Sequence, residues 1–138
     1  MTQRRWAAGS FLSVAALCAT VTGAGCGHDH GDLATFCVDY RTLADDNPFA
    51  TLEVASPGEM RTAFKDLSDA ADAVESSAPE GLDRLASDYS NAIETLVEVL
   101  SATEFDPRNL DTAAYRRATI DYAAAATALS NETVARCE

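Results

Sequence analysis

From residue 32 onward the apolar positions recur every three or four residues and never alternate in twos, so the chain predicts helices and no strands. Leu33, Phe36, Cys37, Tyr40, Leu43 and Ala44 follow one such series, with Asp32 placed to cap it. This is a helix of about three turns. Asp45-Asp46-Asn47-Pro48 ends it, because the residue before a proline is pushed out of the helical region. Residues 49–55 then form a connection. The next start is written plainly in Ser56-Pro57-Gly58-Glu59: an N-cap serine, a proline at the first helical position, and a glutamate three residues on to complete a capping box. Met60, Ala63, Phe64, Leu67, Ala70, Ala71 and Val74 make the apolar stripe of that helix.

Ser76-Ser77-Ala78-Pro79 interrupts the pattern, and Ser77 with Glu80 repeats the capping arrangement in weaker form. Leu82, Leu85, Ala86, Tyr89, Ala92, Ile93, Leu96, Val97 and Leu100 follow without a missed turn, the most regular amphipathic run of the chain. Asp106-Pro107 marks the last start. From Leu110 toward Arg136, Ala114, Ala118, Tyr122, Ala125 and Leu129 line one side of a helix of roughly 30 residues, about 45 Å long. Ile120 and Val134 fall off that stripe, so this helix either contacts partners on two faces or exposes an apolar patch.

Four helices with short connections, one short and three longer, predict an all-α, up-down-up-down bundle over residues 32–138. In that topology the start of the first helix and the end of the fourth lie at the same end. Cys37 and Cys137 therefore fall within reach of a disulfide. It closes a loop of about 100 residues, for which the chain-entropy model gives roughly 4 to 5 kcal/mol. The first helix needs it most, being too short to hold alone.

The segment before the bundle has a different character. Arg4 and Arg5 precede an apolar run from Trp6 to about Val21, and small residues follow, which is the layout of an export signal. An uncleaved membrane span is the competing reading. Ser10, Ser13, Thr20 and Thr22 lower its hydropathy, and no basic stop-transfer cluster follows. Gly23-Ala24-Gly25-Cys26 resembles the cleavage and acylation site of bacterial lipoproteins, with Ala24 and Gly25 at the two positions before the cysteine. Gly23 departs from the branched apolar residue usual there, and Thr22 with Ala24 also fits ordinary cleavage after Ala24. The resemblance implies a signal peptide over residues 1–25, a lipid on Cys26, and a tether over residues 26–31 that holds the protein outside the cell, on the outer face of its membrane. Cysteine parity favours it. Cys18 leaves with the signal, and three thiols in an oxidising compartment leave one unpaired. With Cys37 and Cys137 paired, acylation accounts for Cys26.

Charge narrows the partners. The chain has 10 Lys plus Arg against 22 Asp plus Glu, a net charge of −12, and loss of Arg4 and Arg5 makes it −14. That excludes nucleic acid and direct electrostatic docking on anionic lipid. The chemistry excluded is wider. No histidine follows His30, so the Glu-x-x-His pairs of di-iron bundles are missing, and so is the base of a Ser-His-Asp or Cys-His site. CxxCH is absent as well. His28, Asp29, His30 and Asp32 are ligand types for a transition metal, but they alternate in a glycine-flanked tether that fixes none of them. Asp69, Asp72 and Glu75 recur every three residues without a rigid oxygen cage, as solvating charge does. Tyr40, Tyr89, Tyr115 and Tyr122 fit a core and its rim better than a pocket, and Arg117 with Asp121 has the spacing of a helical ion pair.

No cofactor or metal is expected and no catalytic constellation is visible. The expectation is a non-enzymatic, envelope-anchored protein that binds or scaffolds an envelope partner. Two alternatives stand beside it. One is a carrier or sensor of a small apolar ligand, with a cavity lined by Phe64, Leu67, Tyr89 and Ile93. The other is a carboxylate-dependent envelope hydrolase, which needs two Asp or Glu side chains converging in a cleft.

Overall fold

The computed structural model describes residues 31–45, 49 and 55–138. Within them the chain forms four helices: α1 (Leu33–Asp45), α2 (Pro57–Ser77), α3 (Asp83–Ser101) and α4 (Thr112–Cys137), with a short 3-10 turn at Pro107–Asn109. They pack in sequence order around a ring, α1 on α2, α2 on α3 and α3 on α4, and α4 returns to α1 through the sparsest contact of the four. Each helix runs antiparallel to its sequence neighbours. The start of α1 meets the end of α2, where the Gly31 N–H donates to the Ala78 carbonyl at 3.1 Å, and the end of α4 places the Arg136 guanidinium beside Gly81 at the start of α3. The all-α up-down bundle, with one short helix and three longer ones, is the fold.

Local chemistry accounts for the ends. Ser56 accepts from the Glu59 N–H at 3.3 Å, while the Glu59 carboxylate accepts from the Ser56 N–H at 2.7 Å, a complete capping box with Pro57 just inside it. Asp32 accepts from the Thr35 N–H and opens α1. The two later starts differ from the sequence expectation. Asp106 and Pro107 open the 3-10 turn, in which Asp106 accepts from the Arg108 N–H; α4 begins at Thr112, capped by the Asp111 carboxylate, which accepts from the Ala113 and Ala114 N–H groups. Helix α4 is therefore 26 residues long. Ser77 is the last residue of α2, its hydroxyl donating to the Ala73 carbonyl, and α3 starts behind Leu82 without a side-chain cap. Burial does that work: Leu82 is fully enclosed.

The core is built from the expected stripes of α2 and α3. Phe64, Val74, Leu82, Ala86, Ile93 and Leu96 are completely buried, and Phe36 joins them from α1. Two aromatic residues outside the helical pattern complete it. Phe49 packs edge-on against Phe64, with ring centroids 5.6 Å apart, and lies 4.9 Å from the Tyr122 ring. Phe105 packs 6.3 Å from Phe64, under the Arg61 guanidinium at 5.6 Å. Glu104 and Phe105 adopt left-handed backbone, φ 54° and 63°, a conformation side chains disfavour; burying the Phe105 ring offsets it. Every buried side-chain N or O atom among the described residues has a hydrogen-bond partner.

Candidate functional site

A cleft opens between α1 and α4, where their contact is thin. Alanines at Ala44 and Ala126 leave a cleft of about 220 Å³. Tyr40 and Leu43 wall it from α1, Leu67 from α2, Tyr89 from α3, and Tyr122 and Leu129 from α4. The Tyr89 and Tyr122 hydroxyls stand 3.4 Å apart, and their rings are 5.6 Å apart. Burial first, then the hydrogen bond to Tyr122, pushes the Tyr89 phenol far above the ordinary tyrosine range. It is neutral throughout the physiological range, a hydrogen-bond donor and acceptor in an apolar setting rather than a base or nucleophile.

This cleft differs from the cavity expected from the sequence. Leu67 and Tyr89 line it, but Phe64 and Ile93 are fully buried, with the Phe49 and Phe105 rings packed against Phe64. Helical periodicity places those four residues on inward faces without showing which pair of helices fails to close. Three tyrosines do converge, as Tyr40, Tyr89 and Tyr122; Tyr115 lies on the outer flank of α4, beside Ile120. Phe49, which packs against the Tyr122 ring, is the neighbour that periodicity could not find, because it belongs to a connection.

Cys37 and Cys137 form a disulfide, with Cα atoms 5.6 Å apart across 100 residues of sequence. The Arg41 guanidinium donates to the Cys137 carbonyl at 3.2 Å beside it, a second tie between α1 and the end of α4. Gly31, the first described residue, lies at the same end of the bundle. A Cβ at Gly31 would lie 2.0 Å from the Ser77 carbonyl oxygen, so only glycine permits this approach. Cys26, His28, Asp29 and His30 lie outside the described residues.

Several carboxylates serve as caps and ion pairs. Hydrogen bonds from Ser56 hold Glu59 below its ordinary range. The Arg108 guanidinium, 2.7 Å away, does the same to Asp106, and two backbone N–H groups do it to Asp111. A general acid needs the opposite shift. Asp69 pairs with Lys65, and Asp72 accepts from the Ser90 hydroxyl across the α2–α3 interface at 3.2 Å. Arg117 and Asp121 form no ion pair, contrary to their spacing; Arg84–Asp88 and Arg136–Glu132 use that spacing instead. Among the described residues no group of three His, Cys, Asp or Glu side chains converges as a metal site, and no helix is long and apolar enough to cross a membrane.

No family model, no characterised protein and no solved structure matches this chain.

Proposed function

We propose that this protein is a non-enzymatic binding or scaffolding module of the cell envelope, acylated on Cys26 and held on the outer face of the membrane. The observation that carries the reading is the entry of the chain at Gly31. It is pinned by its N–H to Ala78 and by contact with Ser77, at the end of the bundle stapled by Cys37 and Cys137. Only residues 27–30 separate that corner from the acylated cysteine, at most roughly 17 Å of extended chain from Cys26 to Gly31. The bundle would thus sit close to the lipid by a defined end, repelled from anionic headgroups by its own charge, with its helical flanks facing outward. Leu33, at the start of α1 and 40% exposed, lies next to that exit.

Replacing Cys26 with serine tests the anchor. Wild-type protein should sediment with membranes and C26S should be released; retention of C26S would favour an uncleaved span. Crosslinking in intact cells, with mass spectrometry of what copurifies, tests the partner.

The tyrosine cleft favours one second reading, a carrier or sensor of a small, mainly apolar ligand bearing one hydrogen-bonding group. At about 220 Å³ it falls below the roughly 300 to 1,000 Å³ of drug-sized sites, so its ligand would be a fragment of a few heavy atoms. Filling it by Ala126→Phe should abolish ligand-dependent quenching of tyrosine fluorescence; quenching that survives this change sinks the carrier reading.

A further inference from the structure

The polar side-chain groups of the α1–α4 cleft are all hydroxyls, those of Tyr40, Tyr89, Tyr122 and Ser130, and they are short of partners. The Tyr89 and Tyr122 hydroxyls are 3.4 Å apart, well beyond the roughly 2.7 to 2.8 Å of a close hydroxyl–hydroxyl bond, and only one O–H can point at the other. The second O–H and several lone pairs stay unspent. The Tyr40 and Ser130 hydroxyls make no hydrogen bond among the described residues. For Ser130 this goes against the habit of the fold. Ser68, Thr95, Thr119, Thr127 and Thr133 each donate to the carbonyl four residues back in their helix, and Ser130 leaves the Ala126 carbonyl alone.

Size, charge and walls then describe an occupant. About 220 Å³ lies between the roughly 150 Å³ of a cavity that takes benzene and the roughly 300 Å³ at which drug-sized sites begin. No charged side chain lines the cleft, and the chain has a net charge of −12. An anion would meet no counter-charge and a repelling field, and a cation would lose its water without gaining a carboxylate. Tyrosines from three helices form the walls, and the Tyr89 and Tyr122 rings, 5.6 Å apart, already keep the spacing at which aromatic rings attract. We infer that the cleft binds a neutral, single-ring phenol carrying a second uncharged oxygen substituent. Its phenolic hydroxyl completes the Tyr89–Tyr122 pair, and its second oxygen meets the Tyr40 and Ser130 hydroxyls. The inference rests on the carrier reading and adds a second polar end to its ligand.

The test titrates the purified chain, followed by NMR, with three rings of similar size that carry two, one and no oxygens: 4-hydroxybenzyl alcohol, p-cresol and p-xylene. A cleft that only buries apolar surface prefers p-xylene, because each hydroxyl gives up water to enter. Here the order should be the reverse, with about a fivefold gain in affinity for each oxygen, the fold-change of a typical net hydrogen bond. Tyr89→Phe with Tyr122→Phe should erase the advantage of p-cresol over p-xylene. Tyr40→Phe with Ser130→Ala should erase that of the alcohol over p-cresol, and both double variants should keep the helical circular dichroism and the binding of p-xylene. The anion 4-hydroxybenzoate should bind at least tenfold more weakly than the alcohol. If p-xylene binds best, or the anion binds as well as the alcohol, and Ala126→Phe abolishes that binding, the phenol assignment is overturned and the carrier reading survives. If none of the four binds at about 1 mM, both fall.

Discussion

Helices α3 and α4 lie side by side and are held in place by different means. Helix α3 buries Ala86, Tyr89, Ser90, Ala92, Ile93, Leu96 and Leu100 along its 19 residues, so its own side chains place it. Helix α4 has 26 residues and buries only Ala118, Leu129 and Thr133. Its alanines fit closely against the neighbours but contribute little apolar area each. What α4 lacks in burial it gains from fastenings at its ends: the Asp111 cap at one, and the disulfide with the Arg41 hydrogen bond at the other. The same economy leaves its outer face free of obligations to the core, and there Ile120 and Val134 are found.

The contrast breaks first at the disulfide. Reduction, or Cys37→Ser, should cost roughly 4 to 5 kcal/mol in urea unfolding, less whatever strain the bond carries. Hydrogen exchange should show α1 and α4 opening before α3; simultaneous opening of all three would erase the distinction. Ile93→Ala in α3 should cost about 2 to 5 kcal/mol, since the site is fully enclosed and cannot collapse easily. Ser56→Ala removes one half of the α2 capping box and should cost about 1 kcal/mol by thermal unfolding. Acid acts on the ends as well. Glu59, Asp106 and Asp111 have folded-state pKa values below their ordinary 4.5, 3.8 and 3.8, so their contribution is present above those values and is lost as pH falls through the lower, folded ones. Helicity followed by circular dichroism should therefore hold to about pH 4 and decline below it, and Asp111→Asn should blunt the decline in α4. The smallest effect belongs to Ile120→Ala, within about 0.5 kcal/mol for the single chain, against the large loss for the same chemical change at Ile93.

Where the determinants were local, the sequence was legible. The Ser56–Glu59 box needs no tertiary context, and the period of Leu82 to Leu100 outlines a buried face directly. The bundle topology then put Cys37 and Cys137 at one end, where they are joined. Legibility failed where one signature serves two structures or where distant contacts decide. Asp106-Pro107 is equally good chemistry for a 3-10 turn, and Asp111 lacks the glutamate three residues later that would have announced it as the cap. Leu82 begins α3 because it is buried, which no capping rule encodes. The cleft was half visible: three of its tyrosines stood out in the sequence, yet the gap between α1 and α4 is lined by two small alanines from different helices, and the packing around Phe64 depends on Phe49 and Phe105, neither of them on a helical stripe.

The bond between Cys37 and Cys137 also makes the body of the protein a covalent ring. A protease that cuts once anywhere between those residues, in the α1–α2 connection or around Asp106, opens the ring without dividing it. Both pieces stay joined at the end where the chain enters from Gly31, and a non-reducing gel shows one band where a reducing gel shows two. Under the proposed attachment at Cys26, the staple would keep all four helices on the anchor after one nick.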